Sequence, residues 1–275
     1  MNEYRPTGFK LLPPVVKNLL IINGLLFLGS VSLGNSLGFD LTKLLGLSYF
    51  GSEYFAPYQY VTHLFMHGDF SHLFFNMFAL WMFGNVLENL WGPKKFLIFY
   101  FVCGLGAAAL HTLINWITIS SIQDAFIAYK NTPSPEAFAI FVKDYVPEYS
   151  ANVAGFIQNW RIDLHNQSFI NETYKFIQDR ITERINIPTV GASGAIFGLL
   201  LAFGMMFPNS LLYVYFAIPV KAKYFVIFYG AIELYAGVMN EPGDNIAHFA
   251  HLGGMLFGLL LIIYWRKKRH KRYDL

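Results

Sequence analysis

The sequence is short of charge. Asp, Glu, Lys and Arg make up only 13% of its 275 residues, about half the share of an ordinary soluble domain, which excludes a fully solvated surface. The net charge of +3 is too small to suggest a nucleic-acid partner. Cysteine is nearly missing: Cys103 stands alone in an apolar stretch, so no intrachain disulfide forms and the redox compartment cannot be read from pairing. There is no internal repeat, no low-complexity tract and no H-E-x-x-H of a helical zinc peptidase. The first apolar run lacks a small-residue cleavage site, so it is expected to be a membrane span, not a cleaved leader.

What the sequence has instead is apolar mass. Hydrophobic residues reach 55%, with 28 Phe and an aromatic share of 18%, as suits wide lipid-facing surfaces and interfacial girdles. Six stretches approach the roughly 20 apolar residues that cross a bilayer: residues 15–33, 71–90, 96–119, 190–207, 223–239 and 247–265. The fold class expected is therefore all-α, a polytopic six-helix membrane bundle. Basic residues fall on one face of it: Arg5, Lys10 and Lys17, then Lys94 and Lys95, Lys221 and Lys223, and the tail Arg266, Lys267, Lys268, Arg269, Lys271 and Arg272. Positive segments stay cytoplasmic, which puts both termini inside. The chain divides into a cytoplasmic segment 1–14, a six-span core 15–265 and a basic tail 266–275.

An insert at 119–187 separates the third and fourth spans, and a connection of that length is usually functional or folded. Ser134 followed by Pro135 and Glu136 predicts a helix start. Ile170, Tyr174, Ile177, Ile181 and Ile185 recur at helical spacing, with Glu172, Lys175, Asp179, Arg180 and Glu183 elsewhere on the same helix. Two readings stay open: an insert packed on itself, or a helix lying on the outer leaflet and guiding substrate.

Polar side chains inside spans are costly and point to function. Three clusters head the second, fourth and sixth spans: His72 with Asn76, four residues apart and so on one helical face; Gly191-Ala192-Ser193-Gly194 after the helix-breaking Pro188; and His248 with His251 ahead of Gly253-Gly254. These spans run in the same direction, so the clusters share one depth. A serine needs a base to take its proton, and the pairs Gly194/Gly198 and Gly254/Gly258 let helices approach closely. Ser193 and His251 would then meet, with Asn76, His72 and the head of the fourth span donating to an oxyanion. Taken singly, the serine is ordinarily a packing residue and the histidine an ordinary satisfied polar group. The shared depth is what favours chemistry. His111 and Glu233 have no such clustered partners and are left as structural, as helix-to-helix hydrogen bonds. Asp244 is the one acid near His251 in sequence, but its loop position argues for a Ser-His dyad.

These residues also resemble the rhomboid intramembrane proteases. The similar segments run from Pro57 to Gly68, from His72 to Asn76 with Glu88 and Gly92 beyond, from Gly191 to Gly198, and from Ala250 to Gly254. The resemblance implies Ser193 as nucleophile, His251 rather than His248 as general base, and an oxyanion hole of His72, Asn76 and the Ser193 backbone N–H. It also implies Gly191 and Gly194 as close-approach positions and His67 as a support of the first outer loop. It implies a cofactor-free, metal-free endopeptidase acting on transmembrane protein substrates, with lipid as its other partner. Two departures stand out: the Trp-Arg pair of some members is missing from the first outer loop, where no Trp precedes Trp81, and the 119–187 insert is large. Nor is this the G-x-S-x-G elbow of soluble hydrolases, since residue 195 is Ala and no strand precedes it.

Three other functions compete with this one. A metal-dependent hydrolase would use His63 and His67, or His248 and His251, but lacks an evident third ligand. A transporter would place polar groups at the midplane, whereas these lie near one surface. A client-binding relative without activity would most simply have lost Ser193 or His251. The compact build suggests a bacterial plasma membrane, with the site opening to the outer face.

Overall fold

The structure, a computed structural model, describes residues 8–214, 217–239 and 247–271; Arg5, Asp244 and Arg272 lie outside them. Helix α1 (Pro14–Leu37) opens with Pro14, which lacks an N–H and so leaves one fewer orphan donor. The next two donors, the N–H groups of Val15 and Val16, reach the two carboxylate oxygens of Glu88 at 2.9 and 2.8 Å. A buried acid far along the chain thus caps the first span.

The first loop carries α2 (Leu41–Leu45), capped by the Asp40 carboxylate, and α3 (Gln59–Thr62). Gln59 is fully buried, and its amide accepts from the N–H groups of Ser48 and Ala56 and donates to the carbonyls of Leu44 and Tyr54. All four of its hydrogen-bonding positions are used, which fixes the loop.

The second span, Phe70–Trp91, is α4 (Phe70–Ala79) and α5 (Asn85–Trp91) joined through a π-helical turn, Leu80–Gly84. Helix α6 (Pro93–Asn131) has 39 residues and continues well past the span end expected at residue 119. Its last turns join α7 (Pro135–Tyr145), α8 (Ser150–Ile162) and α9 (Gln167–Asn186) around a separate core of Phe126, Tyr129, Phe138, Trp160, Ile177 and Ile181. Ser134 accepts from the Ala137 N–H at the helix start that the sequence predicts. The insert is therefore packed on itself. The apolar stripe of α9 that would have met a leaflet is buried, with Ile177 and Ile181 inside that core.

Among the described residues five helices are long and apolar enough to cross a membrane, the sixth expected span being α10 (Ser193–Met206) with only 14 residues. At about 1.5 Å per residue it is roughly 21 Å long, against roughly 30 Å of hydrocarbon. It starts three residues later than expected because Thr189 pairs with Leu47 in an isolated antiparallel bridge, which holds the preceding backbone extended. Protein rather than lipid encloses it: Gly194 through Leu200 are all buried. After it, a small hairpin, β1 (Leu211–Val214) with β2 (Ile218–Lys221), leads to α11 (Ala222–Met239) and α12 (His248–Lys271). This hairpin is the one departure from a purely helical chain among the described residues.

Helices α6, α10 and α12 form the centre, and glycine sets their spacing. A Cβ on Gly254 would run into the Gly194 backbone, and one on Gly198 into Cys103. Gly254→Ala meets a backbone that cannot rotate away, so it should destabilise by about 1–3 kcal/mol or more. Gly230→Ala meets only the flexible end of Met255 and should be near neutral. Thermal unfolding of the two variants in detergent distinguishes them: a Gly254→Ala midpoint equal to that of Gly230→Ala would refute the packing argument.

Matching contacts between Gly194 and Gly254 and between Gly198 and Gly258 mean that α10 and α12 run parallel. The end of α12 is thus remote from Ser193, and there the Lys95 ammonium sits 4.7 Å from the Trp265 ring centroid. The Lys10 N–H donates to Asn89 near the same end. Leu25, Leu28, Phe74, Phe75, Ile227, Phe228, Leu256 and Leu260 face outward, an apolar surface far beyond what a soluble monomer carries.

Candidate active site

Ser193 is the first residue of α10, and the helix behind it directs its free N–H groups and positive dipole end at the space in front of the hydroxyl. The extended chain before it turns at Gly191, whose φ of 120° lies in the left-handed region that favours glycine. The Gly191 N–H donates to the carbonyl of His63 at 2.9 Å. A Cβ at Gly191 would lie 2.7 Å from Nε2 of His72, so only a glycine lets that ring stand beside the nucleophile. Gly194 has an equally strict neighbour in Ala107 of α6.

His251, in the first turn of α12, brings its Nε2 to 2.9 Å from Ser193 Oγ. Its ring lies flat on Phe197, centroids 4.1 Å apart and planes 5° from parallel. Phe197 is one helical turn beyond Ser193 on the same helix. Ser193 and the support of the His251 ring therefore come from one rigid element.

On the far side of the ring, His251 Nδ1 is 2.8 Å from Oε2 of Glu233. The same oxygen is 2.7 Å from Nδ1 of His248. Glu233 is the sole buried acidic residue of α11, a helix that otherwise buries only Ala222 and Val226. The sequence left Glu233 as structural, at most a helix-to-helix hydrogen bond; the structure gives it both His251 and His248 as partners, so the Ser193 and His251 pair continues to a third side chain. An ionised carboxylate only accepts, so the His251 proton belongs on Nδ1 and the Nε2 lone pair faces the serine O–H. His111, by contrast, bonds within its own helix to Asn115 at 3.0 Å. Asp244 lies outside the described residues.

Asn76 is buried one turn along α4 from half-buried His72. Its amide makes no hydrogen bond to any described residue, which leaves its N–H groups free to donate. His67 packs edge-on against His72, 5.0 Å between centroids. Burial lowers the His67 pKa to about 4, with the neighbouring His72 acting in the same direction. It is a neutral prop at ordinary pH. His63, also held near 4 by burial, is bound through Nδ1 to the Gln59 carbonyl. His63 and His67 belong to no cluster of three potential metal ligands among the described residues. A small cavity bounded by His63, Ala107, Val190, Gly191, Ser193 and Ala250 opens onto the hydroxyl.

The Rhomboid domain family matches residues 54–120 and 150–268, leaving α7 between its two segments. The chain is 25% identical to the mitochondrial rhomboid-like protein 12 of Arabidopsis thaliana, over 78% of this chain and 47% of that one. It is 23% identical to an uncharacterised mitochondrial rhomboid protein of Schizosaccharomyces pombe, over 78% and 52%. Against the mitochondrial rhomboid protein 1 of Saccharomyces cerevisiae the identity is 24%, over 76% and 42%. The chain thus spans about half the length of these relatives. They are organellar proteins by their names, and none supports the bacterial membrane that the sequence suggested.

Proposed function

The chain belongs to the rhomboid family of integral membrane proteins, and from that premise we propose that it is an intramembrane serine endopeptidase working through Ser193, His251 and Glu233. The observation that carries this reading is the continuous path from Ser193 Oγ to His251 Nε2 at 2.9 Å and from His251 Nδ1 to Glu233 at 2.8 Å. It has the roles of a nucleophile, a base and an orienting carboxylate, which recur on unrelated folds.

A peptide bond of a transmembrane substrate enters the space above Ser193. Oγ attacks the carbonyl carbon as its proton passes to His251 Nε2, and the imidazolium that forms is stabilised by Glu233. The carbonyl oxygen becomes an oxyanion that accepts from the Ser193 backbone N–H, the Asn76 amide and the His72 ring. His251 then protonates the leaving amine, and the acyl-enzyme remains on Ser193. A water from the cavity beside Ser193 attacks the acyl carbon as it gives a proton to the same Nε2, and that proton passes to Ser193 Oγ as the ester bond breaks and the acid leaves.

A client-binding role without hydrolysis is disfavoured, because packing alone does not require a hydroxyl, an imidazole and a carboxylate in line. Labelling purified protein with a fluorophosphonate, which phosphonylates an activated serine and releases fluoride, tests the reading. Modification should map to Ser193, and Asn76→Ala should lower turnover about ten- to a thousand-fold, as when one oxyanion donor is lost. Labelling at another serine, or none in an active preparation, overturns the assignment.

A further inference from the structure

The mechanism uses one of the two histidines at Glu233. His248 is not used, yet one ring nitrogen of His248, one of His251 and a Glu233 oxygen all lie within 4.8 Å of one another. Two imidazoles and a carboxylate make a donor set that zinc takes, with three protein ligands and a fourth position open. The carboxylate comes from α11 and the imidazoles from α12, three residues apart on one helical face.

We propose that Glu233, His248 and His251 form an inhibitory site for a zinc-class divalent cation, an inference that rests on the serine reading above. Imidazole nitrogen selects zinc and its neighbours over magnesium or calcium, which prefer all-oxygen shells. Tetrahedral bonds of about 2.0–2.1 Å place ligands roughly 3.3 Å apart. The Glu233 oxygen is now 2.7 and 2.8 Å from the two rings, closer than that spacing, so taking up a cation needs side-chain rotations of the three residues.

Inhibition follows from the tautomer. A cation on Nδ1 of His251 takes the lone pair at the atom that now carries the proton. That proton moves to Nε2 of the same ring, and the ring stays neutral. Nε2–H then donates to Ser193 Oγ, 2.9 Å away, and cannot accept the hydroxyl proton. Glu233 is bound to the cation and no longer orients the ring. The contact that prepares His251 as a base and the site that disables it thus share two side chains, Glu233 and His251 itself.

Binding is measured first on the full-length Ser193→Ala protein in detergent, where no turnover is needed. Equilibrium dialysis with zinc chloride should give one ion per chain, and cobalt(II) should show the visible absorption of a tetrahedral site. Adding His248→Gln, or separately Glu233→Gln, should weaken both signals at least ten-fold. With active protein, zinc should suppress cleavage and EDTA restore it. His248→Gln should need at least ten-fold more zinc for the same fractional loss, each protein normalised to its zinc-free rate.

Absence of a bound ion in the Ser193→Ala protein, or equal binding after His248→Gln, overturns the site. Stimulation of cleavage by zinc also overturns it and points to metal-dependent hydrolysis. Full binding in a protein whose cleavage survives Ser193→Ala would uphold the cation site while removing the serine reading, so the two failures are distinguishable.

Discussion

Ser193→Ala abolishes cleavage of a reconstituted transmembrane substrate, lowering the rate by at least about 10⁴-fold while the helical content and melting temperature stay as they were. Removing a nucleophile or its base from such a chain of residues costs up to about 10⁶ in kcat, leaving only what binding and oxyanion donors provide. The fold should tolerate the change because, among the described residues, the Ser193 side chain hydrogen-bonds to His251 alone, and alanine at a helix start keeps the helix. His251→Ala should be equally inactive but less innocent structurally, since its ring covers Phe197. The measurement is product formation in proteoliposomes, with circular dichroism on the same preparations. Wild-type turnover in Ser193→Ala would refute the assignment.

The second large effect is expected at Glu233. Glu233→Gln keeps the shape but adds an amide N–H, which can donate to His251 Nδ1. The ring proton then settles on Nε2, where it faces the serine and blocks proton transfer. In the best-studied serine proteases the corresponding acid-to-amide change lowers kcat about 10⁴-fold through this wrong tautomer. A loss of about 10²–10⁴ in kcat is expected here, with KM nearly unchanged because Glu233 touches no substrate. Fluorophosphonate labelling of Ser193 should slow in parallel. A purely structural Glu233 would instead lower stability and leave the kcat of the folded fraction alone.

Why the sequence led to Ser193 and His251 but passed over Glu233 has a physical explanation. The serine and the histidines stand at the heads of spans that run the same way, so counting rise per residue aligns them directly. Glu233 lies on a span running the opposite way, six residues before its end at Met239. Counted from that end, it falls about 9 Å deep, beside a His251 about 4.5 Å from the start of α12. The signal was an isolated acid in an apolar helix, which by default asks for a partner. Asp244 drew attention only because it is near in sequence.

The span boundaries were legible where composition sets them and not where backbone pairing does. Leu47 and Thr189 bridge across 142 positions of chain, and no local pattern announces that α10 therefore begins at Ser193. The helix start at Ser134 followed from an N-cap and a proline and was readable. The fate of α9 was not, because an apolar stripe looks the same whether it covers lipid or Trp160 and Phe138. Phe197 reads as one more apolar residue of a buried helix, and its stacking on His251 depends on where α12 lies.

The lashing of the first loop to the chain before α10 has a consequence for changes made far from the chemistry. Gln59, the Leu47 and Thr189 bridge and the His63 carbonyl together hold Gly191 from outside the helix that bears the nucleophile. A loop edit that lets Gly191 drift by an ångström turns the hydroxyl off its line of attack, and errors of that size cost about 10²-fold in rate. Substitutions at Gln59 should therefore register as lost aim in an enzyme that still binds its substrate.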